Sequence, residues 1–274
     1  MECVREATGF TGYPTYESKE IDLYYLYKHL VASGVQFMRK MEWYWAASVF
    51  GALLWEPKIS IQTGTAINQG RVDKFQAYGM NPEVIKDKEK TPTLALHGKN
   101  GSQGMFLLLG KYFQEHDMGP LFTVNLSEGE LKEKDLGVIN AKIEEIQSLY
   151  GRKVKINFIG YSLGAELALY AAFHKDSWRI EECGRCFLSP VSKWRKEVGK
   201  IIRIGSMTLQ NEWKMLSDEM KISIYEIRGK DDIHMPEPSY AKNQYQVDGV
   251  GHVGLVTSSL VFDQLKIVLD NPLG

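Results

Sequence analysis

The stretch from Lys155 to Phe173, "KINFIGYSLGAELALYAAF", joins an apolar strand-like run to a helix of small and medium apolar residues, with no conventional loop between them. At the junction stands Gly160-Tyr161-Ser162-Leu163-Gly164. A chain that passes directly from strand to helix forces its turn residue into strained backbone, and a glycine two positions to either side leaves room for the close approach. Such a turn lifts the serine oxygen clear of a sheet. It also aims a helix N-terminus at that oxygen, where backbone N–H groups can stabilise an oxyanion. Ala165 and Ala168 keep the helix face small, which allows tight packing on the sheet.

The sequence from Thr93 onward has the texture this turn requires. "TLALHG" reads as a buried strand, "MFLLLGKYFQEH" as a helix, and "LFTVNL" as the next strand. "GELKEKDLGVINAKIEEIQSLY" follows as an amphipathic helix with Ile139, Ile143, Ile146 and Tyr150 on one face. After the serine helix come a strand in "RCFLSPV", a helical stretch in "GSMTLQNEWKMLSDEM" and a strand in "KISIYEIRG". "YQVDGVGH" gives a short strand and loop, and "LVTSSLVFDQLKIVL" a closing helix. Alternating short apolar strands and amphipathic helices predict an α/β fold, a mostly parallel sheet with helices on both faces. In such sheets chemistry gathers at the carboxyl ends of the strands.

Residues 1–90 read differently, as an N-terminal helical and irregular extension that ends in the charged run "NPEVIKDKEKTP"; residues 91–274 form the α/β domain. Within the extension, "WYWAASVFGALLW" from Trp43 to Trp55 is too short for the roughly 20 apolar residues of a spanning helix. It fits a helix lying in a membrane interface, a helix packed over the core or in a dimer, or a lid. The formal net charge is −1, so no global field points to nucleic acid or to an anionic membrane. The first residues carry charges and no apolar signal segment, and the expected location is cytoplasmic. Three cysteines are too few and too unevenly placed for a disulfide scaffold. Cys183 and Cys186 form a C-x-x-C that lacks two further ligands for zinc, and it precedes a strand rather than a helix. They read as incidental thiols, and no metal or organic cofactor is expected.

A serine hydroxyl needs a base to take its proton, and the base needs an orienting acid. Of six histidines, His29 and His116 lie in helical stretches, His174 ends the serine helix, and His97 ends a strand far upstream. His234 follows the penultimate strand, and His252 sits in the glycine-rich "DGVGHVGLV" just before the last helix. A base in a loop past the last strand can reach over the sheet edge, which favours His252. For the acid, "EIRGKDDIHMP" offers Asp231 and Asp232, giving the chain order Ser…Asp…His.

These segments together resemble the α/β-hydrolase superfamily, on its lipase and esterase side, over about residues 91–274. "GYSLGA" is similar to the nucleophile elbow, which makes Ser162 the implied nucleophile. "LHGKNGSQGMFLLL" resembles the lipase-type HG loop. That implies the backbone N–H groups of Lys99 and Leu163 as oxyanion donors. "GKDDIHMP" resembles the family's acid segment, whose spacing picks Asp232, and "GHVGL" resembles its histidine segment, supporting His252. The early antiparallel strands of the family have one candidate, "KISIQTG" near Lys58, and between Val191 and Met220 there is room for a small cap. The resemblance implies cleavage of a carboxylic ester, of a small molecule or a lipid, through an acyl-enzyme. A thioesterase or acyltransferase on the same triad, or a non-catalytic binding module, stands as the alternative.

Overall fold

The computed structural model describes residues 88–99, 101–127, 133–173, 178–180, 186–188, 195–206, 216, 218–232 and 240–271. Residues 1–87 of the N-terminal extension, with Trp43–Trp55 and the strand candidate near Lys58, and His174, Cys183 and His234 lie outside them.

Strands β1 (Thr93–Leu96), β2 (Leu121–Thr123), β3 (Ile156–Tyr161), β6 (Val198–Ile204), β7 (Ile224–Gly229) and β8 (Asn243–Val247) form one sheet in the order β2-β1-β3-β6-β7-β8. Every neighbouring pair is parallel. A second, two-stranded antiparallel ribbon pairs β4 (Trp178–Ile180) with β5 (Cys186–Leu188). The segment "RCFLSPV" is thus a strand as expected, but it belongs to this ribbon and not to the main sheet.

Helices cover both faces, because each parallel connection must carry the chain back along the sheet. On one face, α1 (Leu107–Glu115) and α5 (Ser259–Asp270) bury Leu109, Phe113, Val261, Phe262 and Leu265 against Ile159, Ile202 and Ile227. On the other, α2 (Glu133–Tyr150) and α3 (Leu163–Ala171) bury Ile139, Ile143, Ile146, Leu167 and Leu169 against Leu94, Phe158 and Ile201. The predicted stripe Ile139, Ile143, Ile146, Tyr150 is buried throughout. A short helix, α4 (Asp218–Ile222), precedes β7.

The sequence reading missed β6, which lies at the centre of the sheet between β3 and β7. Its run "VGKIIRI" is interrupted by two cations, and fully buried strands usually read as continuous apolar runs. Both cations are nevertheless buried, because each has partners. Lys200 Nζ donates to the carbonyls of Val268 at 2.6 Å and Leu269 at 2.9 Å, and to that of Asn271, closing the C-terminal end of α5. Burial lowers the pKa of this ammonium, opposed by the nearby Asp270 carboxylate. The Arg203 guanidinium lies 3.7 Å from Glu226 on β7 and donates to Ser206 at 3.1 Å.

Gly137, in the second turn of α2, is exposed, and a β-carbon there would meet nothing within 4 Å. Glycine in a helix interior costs about 0.5–1 kcal/mol relative to alanine. Gly137→Ala should therefore raise unfolding stability by about that amount, read as a higher urea midpoint with an unchanged slope.

Candidate active site

The carboxyl ends of the central strands lie level with one another: Tyr161 is in register with Ile204, Ile204 with Ile227, and Gly229 with Val247. Six loops leave this edge, and the residues singled out from the sequence stand in or beside four of them.

Ser162 follows β3 directly and precedes α3, with φ 53° and ψ −121°. Asp117 is the other non-glycine residue with positive φ among the described residues. An L-residue held there is strained, so surrounding contacts must hold it. They do so on three sides. The Ser162 N–H donates to the Ile204 carbonyl at 2.8 Å, and its carbonyl accepts from Ala165 N–H at 2.9 Å. A β-carbon on Gly160 would fall less than 3.0 Å from the Gly164 carbonyl oxygen and from Ala165 N, so only glycine lets the helix turn back over the strand. The hydroxyl makes no capping hydrogen bond to α3. The first N–H of the helix, that of Leu163, therefore has no intrahelical partner.

The loop after β1 lies against the same serine. A β-carbon on Gly98 would sit 2.9 Å from Ser162 Cβ. His97, set aside as a base candidate, is buried here and has a different part. Its Nε2 accepts from Leu126 N–H at 2.9 Å, so the ring proton resides on Nδ1, 2.9 Å from the Gly98 carbonyl. That carbonyl also accepts from Gly101 N–H at 3.1 Å. Carbonyl and N–H point in opposite directions across a planar trans peptide. With the Gly98 carbonyl held toward His97 and Gly101, the exposed Lys99 presents its backbone N–H the other way. Farther along, Gln103 N–H donates to Asn125 at 3.0 Å, and Thr123 donates to the Gln103 side chain at 3.2 Å. These ties couple the loop to the end of β2. The signal available in the sequence was a histidine directly before the loop's glycine.

The loops after β7 and β8 bring Asp232 and His252 together. His252 Nδ1 lies 2.8 Å from Asp232 Oδ2, and both side chains are essentially inaccessible to solvent. Asp231 is exposed. Gly229 permits the approach of the two loops, since a β-carbon there would collide with the Val250 carbonyl oxygen. With Nδ1 facing a carboxylate, the imidazole carries its proton on that side, and Nε2 is left as the acceptor.

A parallel sheet wound on both faces, a strained serine between strand and helix, and a buried His–Asp pair at the same edge decide the architecture. This is an α/β-hydrolase fold. Solved structures similar to the chain include a candidate α/β hydrolase of unknown function from Agrobacterium tumefaciens, 17% identical, with 69% of this chain and 88% of that one covered at a TM-score of 0.48. Another is the lipase BlEst2 of Bacillus licheniformis, 12% identical over 68% of this chain and 96% of that one, at 0.46. A third is the esterase RhEst1 from Rhodococcus sp. ECU1013, 13% identical over 70% and 94%, at 0.42. No family model and no curated protein matches the sequence. Within the α/β-hydrolase sheet of this chain, no group of side chains suited to hold a metal ion occurs among the described residues. Nor is any helix among them long and apolar enough to cross a membrane.

Proposed function

We propose that the chain is a serine hydrolase that cleaves a carboxylic ester through an acyl-enzyme. The observation that carries this reading is the buried His252–Asp232 pair at the sheet edge where Ser162 is held at φ 53°. Ser162 Oγ attacks the ester carbonyl as His252 Nε2 takes its proton. The oxygen that becomes negative accepts from the backbone N–H groups of Lys99, in the loop after β1, and Leu163, at the start of α3. His252 then gives its proton to the departing alcohol, and the acyl group stays on Ser162. Water repeats the sequence, losing a proton to His252 and releasing the acid. Asp232 keeps the imidazole in the accepting tautomer and stabilises its positive form.

The acyl group we favour is lipid-like, on the resemblance of the loop that opens at His97-Gly98. For Trp43–Trp55 we favour packing, with contact to a lipid surface as the alternative that liposome flotation of the full chain tests. A fluorophosphonate should label the protein once, at Ser162, and Ser162→Ala should abolish both labelling and turnover of 4-nitrophenyl esters. Labelling of the alanine variant at a second serine would overturn the assignment. A series of esters and thioesters of increasing acyl length, with and without detergent micelles, then separates esterase, lipase and thioesterase activity.

A further inference from the structure

Tyr161 precedes the serine and entered the sequence reading only as a variable position of the glycine–serine motif. It is the last residue of β3, and its side chain points to the face opposite α3, among Ile204, Ile227 and Leu255. There the phenol is buried and donates a hydrogen bond to the main-chain carbonyl of His252 at 3.1 Å. The phenol ring also faces the imidazole, with centroids 5.1 Å apart and planes tilted by 37°. Burial, and secondarily the Asp232 charge, pushes the ionisation of this phenol upward, so it remains a donor across the working range of pH.

The imidazole also meets Gly205, the first residue after β6. Gly205 has φ 57°, and a β-carbon there would lie 3.1 Å from His252 Cε1 and 3.2 Å from Nδ1. The turn at Gly205 is itself held from below by the bond from Arg203 to Ser206. His252 is thus gripped by its carboxylate partner, by a phenol on its backbone, and by the end of β6 against its ring.

We infer that Tyr161 is a positioning residue for the base: it fastens the loop of His252 to the strand that carries Ser162. Nucleophile and base come from sequence positions far apart, and the Asp232 contact alone leaves the imidazole free to swing about its hydrogen bond. The phenol fixes the main chain from which the ring projects, and does so from the residue bonded to the nucleophile. The distance between base and nucleophile is then set by one short, rigid connection. This inference depends on the proposed role of His252.

The test is a double-mutant cycle on the full chain with 4-nitrophenyl acetate as substrate. Tyr161→Phe keeps the ring and removes one buried hydrogen bond. It should lower kcat about tenfold with KM unchanged, and slow fluorophosphonate labelling by the same factor. In a His252→Ala background the same substitution should cost nothing further, because the residue through which it acts is gone. Circular dichroism shows whether each variant is folded. An equal fractional loss in both backgrounds would mean that Tyr161 acts on the fold in general, and an undiminished kcat for the single variant would mean that it acts on nothing. Either overturns the inference. If His252→Ala alone retains full activity, the base assignment has failed, a result that needs no Tyr161 variant to be recognised.

Discussion

Asp232→Asn should lower kcat by about 10⁴-fold, while Asp231→Asn leaves it nearly unchanged. The two carboxylates are adjacent in sequence, but their surroundings differ. Asp232 is buried and 2.8 Å from His252 Nδ1, whereas Asp231 is exposed. An asparagine at Asp232 can offer its amide N–H₂ to Nδ1, which drives the ring proton to Nε2. The nitrogen that should accept from Ser162 is then already protonated. Even with its oxygen turned inward, the neutral amide no longer stabilises the imidazolium that forms during attack. Rates on a short activated ester, with thermal melts to verify folding, check the ranking; the reverse order would place the acid one residue earlier.

The second large effect is on folding. Gly164→Ala should destabilise the protein by about 4 kcal/mol or more, the range reserved for substitutions with a named steric cause. Its β-carbon would lie less than 3.0 Å from both the Leu96 and His97 carbonyl oxygens. Those are backbone atoms of β1 and of the loop beside Ser162, so no side chain can move aside to make room. The whole N-terminal end of α3 must lift from the sheet, which also removes the donors at the serine. A urea titration of Gly164→Ala beside Gly137→Ala compares a blocked glycine with an open one in the same fold. Similar midpoints for the two would mean that the strand–helix contact is much looser than described here.

The two substitutions also mark how much of the molecule could be read in advance. The elbow was legible because its constraint is local: five consecutive residues determine it, and the small helix face follows at once. Strands β1, β2 and β3 were legible for a similar reason, being short runs uninterrupted by charge. β6 was not, since Lys200 and Arg203 break its pattern and their partners, at Val268 to Asn271 and at Glu226, lie on other elements. The same limit applies at the site. Asp232 and His252 could be placed from chain order and spacing. The work of His97, Tyr161 and Gly205 depends on contacts across as many as 91 residues, which no local pattern carries. Tyr161 was passed over because the motif it belongs to is indifferent to that position.

The order of strands in the sheet also orders events in time. β1, β2 and β3 are neighbours on one side, and the other half of the sheet is added outward as β6, β7 and β8. A ribosome that has delivered the chain through α3 has made the serine and its helix, yet neither Asp232 nor His252 exists. Synthesis runs from the N-terminus, and domains generally fold as units. A nascent chain therefore displays Ser162 well before Asp232 and His252 are made, and the proposed activity can begin only when β8 and the loop beyond it have been synthesised and docked.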